Sequence, residues 1–221
     1  MMAALGAGGL LATGCELVGL QWRYRYRLTV SLVRGADTRS GSGVIEIVRS
    51  KGYTGIGANI NGEAIVVDLP GEKPLFTLLS SEIWGTAWPS IMPHYALSKQ
   101  LGTVDMVNAK VLDELVRMIG AEVVLDAKIY PHFAMFRDLQ EPSTVQQVNS
   151  GDPEDGTQGY SIDKIALKIV DADITQNIYN VIPWLKEQRG ALTKPDLKTP
   201  LSNRPFSAWI NEASFIQGSI K

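Results

Sequence analysis

Residues 22–34 read WRYRYRLTVSLVR, and their side chains alternate between two chemistries without a break. Trp22, Tyr24, Tyr26, Leu28, Val30 and Leu32 fall on one face of an extended chain, while Arg23, Arg25, Arg27, Thr29 and Ser31 fall on the other. A helix would mix the two sets around its circumference. Only a period-two backbone separates them, and aromatic and β-branched residues are the ones that pack well on a pleated surface. The segment is therefore a strand with one buried face, and the rest of the fold has to cover that face. The turn-rich GADTRSGSG follows as a long loop, and then GVIEIVRS, residues 43–50, as the second strand of a hairpin. Asn61-Gly62 is the strongest short turn signal in the chain and fits a type I′ turn between strands at 53–60 and 63–69. The reading is a four-stranded antiparallel meander over residues 22–69.

The middle of the chain mixes periods. Residues 75–85 read as a short helix or a fifth strand, and 85–102, with Pro89 and Pro93, as irregular. Val107, Val111, Leu112, Leu115 and Met118 make a helical stripe within 104–119 that Gly120 ends. AEVVLD and HFAMFRD read as strands, residues 140–160 as a polar connection, and SIDKIALKIVDA as another strand. Ile174, Ile178, Val181 and Ile182 recur at helical spacing until Pro183 interrupts them. The final residues hold Pro195, Pro200 and Pro205 and predict an extended tail that packs through Phe206, Trp209 and Phe215. The fold class is α+β: an N-terminal meander packed by helices near 104–119 and 174–182, with an irregular C-terminal tail. With 221 residues and 45% hydrophobic content, residues 22–221 suffice for one domain without metal or disulfides.

The N-terminus carries a different message. Cys15 is the chain's one cysteine and closes the string LATGC after an apolar, charge-free stretch. This resembles a bacterial lipoprotein signal, in which small apolar residues precede a cysteine that takes a diacylglyceryl group. The resemblance implies a signal-like segment at 1–14, a tether at 15–21, lipid attachment at Cys15, and an envelope location. Glu16, rather than aspartate, after the cysteine implies the periplasmic side of the outer membrane. A signal peptide also wants a basic n-region, and no Lys or Arg precedes Arg23, so the expectation includes a start codon upstream. The competing reading is a Gly/Ala-rich tail with a chance cysteine.

WRYRYRLTV, RSGSGVIEI, GEA with Asp68-Leu69, Leu75-Phe76, FRDLQEPSTVQQV and IPWL resemble a family of proteobacterial predicted lipoproteins over most of residues 22–190. No activity is assigned to that family, so the resemblance implies the envelope address and no chemistry.

The residues themselves exclude several classes. A net charge of −2 gives no electrostatic reason for nucleic acid. The two histidines, His94 and His132, each sit beside proline and aromatics, which favours packed imidazoles over metal ligands. RSGSGV faintly resembles the opening of a trypsin-like barrel, but no histidine follows where such a protease needs its base. In DPEDGTQGYSID, Gly156 falls at the fifth rather than the sixth position of a calcium loop, and Asp163 replaces the closing glutamate. GIGANING lacks dinucleotide-binding spacing. Arg23, Arg25 and Arg27 form a ladder whose natural partner is Glu46 on the neighbouring strand, and an anionic-ligand surface is the alternative. Trp84, Trp88, His94 and Tyr95 lie among prolines and form the candidate recognition loop, with a lid over the core as its competitor. Two functions follow: a non-enzymatic, tethered envelope module that binds or scaffolds a protein partner, without cofactor; or a small-ligand-binding protein or hydrolase using His94 or His132.

Overall fold

The computed structural model describes residues 19–71, 73–149, 157, 159–194, 198–200 and 203–218. In chain order the elements are β1 (Gln21–Arg34), β2 (Asp37–Gly52), β3 (Gly55–Glu63), β4 (Ile65–Val67), β5 (Leu75–Thr77), α1 (Trp88–Ala96), α2 (Ser98–Leu101) and α3 (Ala109–Arg117). There follow β6 (Glu122–Val124), β7 (Phe133–Phe136), β8 (Val145–Val148), β9 (Ser161–Val170), α4 (Ile178–Val181), α5 (Glu212–Phe215) and β10 (Ile216–Gln217). Two antiparallel sheets result, ordered β10-β3-β2-β1-β9-β6 and β4-β5-β7-β8, and the architecture is α+β.

Strand β1 is central to the larger sheet, and its alternation does what the sequence reading requires. Trp22, Tyr24, Tyr26, Leu28, Val30 and Leu32 are all buried. The face is covered by α1 and α3, whose Trp88, Met92, Val111 and Leu115 join its core cluster. The segment around 174–182 does not cover it. Its Ile178 and Ile182 pack in a second cluster with Phe76, Phe136 and Phe215, and the helix shrinks to α4 because Pro183 starts a 3₁₀ turn, Pro183–Lys186.

The connection after β1 corrects the expected long loop. Strand β2 begins at Asp37, and the turn is only Gly35-Ala36, with Arg34 paired to Asp37. The glycines of RSGSG serve close packing instead. A Cβ at Gly41 would lie 2.2 Å from the Val66 carbonyl oxygen, so β4 can lean on β2 only because that side chain is missing. Asn61-Gly62 is likewise not a turn. Both residues lie within β3, where Asn61 pairs with Glu46 and a Cβ on Gly62 would meet Ile45 at 2.9 Å. The reversal falls earlier, at Tyr53-Thr54, beside Gly55 with φ 131°. The meander of the larger sheet therefore has three strands, and β4 crosses into the smaller sheet.

That smaller sheet separates the two cores. In β7 the alternation sends Phe133 and Met135 to the first cluster, and Ala134 and Phe136 to the second. An uninterrupted apolar run is what a strand buried on both faces needs. Strand β8, within the stretch expected as a polar connection, closes this sheet.

Candidate functional site

The loop singled out from sequence is mostly a structural lid. Residues 88–96 are helix α1 rather than irregular chain. Trp88 is fully buried and its Nε1 donates to the Ile129 carbonyl oxygen at 2.9 Å. The prolines concealed this helix. Pro93 cannot donate to the carbonyl of Pro89, one turn back. The buried Tyr26 hydroxyl supplies the missing donor to that oxygen at 2.9 Å, so the break in the helical ladder becomes a docking bond to β1. Arg49 makes a second bond, its Nη2 donating to the Ser90 carbonyl oxygen at 2.6 Å. Trp84 is half-buried and packs on Tyr95 at 4.9 Å between ring centroids, and Tyr95 is 40% exposed.

His94 lies at the inner face of α1. Its ring stands edge-on to Tyr24, and neither ring nitrogen has a hydrogen-bond partner among the described residues. Burial, reinforced by the Arg49 charge, pushes its pKa down to about 4, while the Asp105 carboxylate acts the other way. Burial also pushes the Tyr24 hydroxyl up to about 12. This is a neutral, packed imidazole, as the bland sequence reading has it.

Two of the three arginines of the ladder are salt-bridged on the outer face. Arg23 and Arg25 reach Glu46 at 3.0 and 2.9 Å, and Asn61 adds a bond at 3.1 Å. Burial alone would raise the Glu46 pKa, but bonds from Arg25, Asn61 and Arg23 hold it below the ordinary carboxylate range. A depression of about 610 Å³ lies over this face, and the cation lining it, Arg23, is one of those held by Glu46.

His132 occupies a different setting. It precedes β7, its backbone N–H donates to the Ser80 carbonyl oxygen at 2.7 Å, and its own carbonyl accepts from Leu78 at 2.9 Å. Those bonds hold the imidazole at the floor of an open cleft of about 660 Å³. Its Nδ1 lies 3.3 Å from Ser80 Oγ, and its ring meets Phe206 edge to face at 5.7 Å between centroids. Burial lowers its pKa, with Glu82 partly opposing, so the ring is neutral at pH 7.

One wall of the cleft comes from Glu82 and Thr86, on the loop before α1. Gln147 and Asn149, at the end of β8, make another. The rim is Trp209, which follows the 3₁₀ turn Phe206–Ala208 and is 56% exposed, correcting the expectation that it packs inward. Its Nε1 donates to the Arg204 carbonyl oxygen at 3.3 Å, which fixes the plane of the indole. Of these residues the sequence reading named His132 as a candidate and Trp209 only as core. Ser80, Glu82, Gln147 and Asn149 carry no signal in spacing, because the cleft is assembled from four separate segments.

Among the described residues, no group of three or more His, Cys, Asp or Glu is placed to hold a metal ion, and the two histidines share no site. Asp163 lies in β9; half of the calcium-like string, Gly156 included, together with Cys15, the signal-like segment and most of the tether, lies outside the described residues. No helix among the described residues is long and apolar enough to cross a membrane. No family model, curated protein or solved structure matches the chain.

Proposed function

We propose that the chain is a non-enzymatic binding module of the cell envelope, tethered by a lipid on Cys15 and receiving its ligand in the cleft above His132. The observation that carries the binding half is the cleft itself. It is open, polar at its floor, and rimmed by an indole that folding leaves 56% exposed. A large aromatic held at the mouth of an open cleft costs solvation and gains little packing, and such residues dominate recognition energetics. The tether half rests on LATGC and on the family resemblance.

A hydrolase is the second reading, favoured by the 3.3 Å contact between Ser80 Oγ and His132 Nδ1. Acyl transfer also needs a third group to orient the imidazole. Among the described residues, no carboxylate hydrogen-bonds to the His132 ring. The Ser80 side chain is also buried rather than presented to the cleft mouth. Binding is therefore the stronger reading.

The test places a photo-crosslinking amino acid at position 209, or at the fully exposed Tyr53 on the far β2–β3 turn, in cells expressing wild-type or Cys15→Ser protein. The expected result is a discrete adduct from position 209 alone, found with membranes, and alkyne-palmitate labelling that Cys15→Ser abolishes. Equal adducts from both positions would refute the cleft, and equal labelling of both proteins would refute the tether. Ester turnover lost in both Ser80→Ala and His132→Asn would replace binding with hydrolysis.

A further inference from the structure

We infer that the cleft takes an uncharged oligosaccharide, one sugar ring stacked on Trp209 and its hydroxyls held by Gln147 and Glu82. The inference rests on the cleft being the binding surface and adds the class of ligand.

Charge narrows the class first. Among the described residues lining the cleft there is no Lys or Arg, and Glu82 is the one carboxylate. Phosphates, nucleotides and uronic acids would meet a negative wall with no cation to pair with, which is costly in a partly desolvated site. The neutral imidazole of His132 adds a polar nitrogen and no charge.

The donor set narrows it further. A sugar hydroxyl both donates and accepts, and a carboxamide offers both functions side by side. Gln147 provides such a group, exposed on the β8 wall. Glu82, on the opposing loop, is a pure acceptor suited to hydroxyl donors. Trp209 has already used its N–H on Arg204, so what remains to a ligand is the ring face. The axial C–H groups of a pyranose make an apolar plate that such a face accepts, as aromatic rings accept other flat apolar partners.

A peptide is the rival ligand, and β8 is an edge strand to which an extended peptide could add. The turn Phe206–Ala208 lies beside β8 and narrows the approach to that edge. The cleft volume, about 660 Å³, lies within the range of small-ligand pockets and suits a short oligomer.

Calorimetric titration tests this with cellotetraose, maltotetraose and chitotetraose, alongside anionic tetragalacturonate and an uncharged tetrapeptide. Wild type is compared with Trp209→Ala and Gln147→Ala, each first shown to keep the wild-type thermal midpoint. At least one neutral tetrasaccharide is expected to bind with a Kd of ~1 mM or tighter, weakened about tenfold or more by Trp209→Ala. Tetragalacturonate is expected to give no heat. Failure of all three neutral sugars, or preference for tetragalacturonate, overturns the sugar assignment. A peptide that binds wild type and not Trp209→Ala overturns the sugar class while leaving the cleft as the binding surface. Sugar binding that both substitutions leave unchanged overturns the cleft.

Discussion

Acidification should destabilise this fold through one buried imidazole. His94 is fully buried and ionises near 4 rather than 6.5. The unfolded chain therefore takes up a proton between these values that the folded chain refuses. Because the unfolded state binds more protons there, stability falls as pH drops from about 6.5 towards 4. Each pH unit across that interval is worth about 1.4 kcal/mol, so the loss from pH 7 to pH 5 is about 2 kcal/mol. The groups facing His94 are Tyr24 from β1, Arg49 from β2 and Asp105 between α2 and α3. Tyr24, its hydroxyl pushed up to about 12, stays neutral throughout and does not mask the effect. Burial also lowers the His132 pKa, adding a contribution of the same sign. Glu46 and Asp37 titrate below the ordinary carboxylate range and lose their stabilisation at lower pH still. Urea unfolding at pH 7 and pH 5, at constant ionic strength, measures the loss from the midpoint and slope. In His94→Phe most of that pH dependence should vanish. If His94→Phe loses as much stability between pH 7 and pH 5 as wild type does, the assignment to His94 is wrong.

Other perturbations follow from single contacts. Buried Glu63 accepts the backbone N–H groups of Asn177 and Ile178 at 2.7 to 3.0 Å, so Glu63→Ala should cost about 3 kcal/mol in urea unfolding. Glu63→Gln, which keeps one acceptor, should cost less, and equal losses would contradict the hydrogen-bond account. Gly41→Ala forces a Cβ against the Val66 carbonyl and should cost about 2 kcal/mol or more, whereas Gly57→Ala, with open space, should be near neutral by thermal denaturation. Trp88→Ala removes a fully buried indole and should cost about 3–5 kcal/mol, with Trp84→Ala costing much less. Similar thermal midpoints for those two variants would refute the lid role of α1.

How much of this was legible depends on whether the deciding interaction was local. The face of β1 and the stripe of α3 were readable because alternation and helical spacing report burial directly. Even there, Val107 is exposed and lies ahead of α3, which starts only where the Asn108 side chain caps it. Asn61-Gly62 misled because the absence of a side chain has two uses, turning and close approach, and Ile45 across the strand decides between them. Helix α1 was hidden because its proline break is mended by Tyr26, more than sixty residues earlier in the chain. The cleft was the least legible part, since its wall, floor and rim come from four segments that only the smaller sheet brings together. Trp209 in particular looked like core, and nothing in its neighbours says that folding leaves it at the surface.

The most direct test of the central claim is which tryptophan senses the ligand. The chain has five, so protein labelled with 5-fluorotryptophan gives five ¹⁹F resonances, with Trp209 assigned from Trp209→Phe. Titration with the neutral tetrasaccharides should shift the Trp209 resonance progressively and leave the other four in place. A shift of Trp84 with Trp209 unmoved would put recognition on the loop before α1 and contradict the account, as would five static resonances.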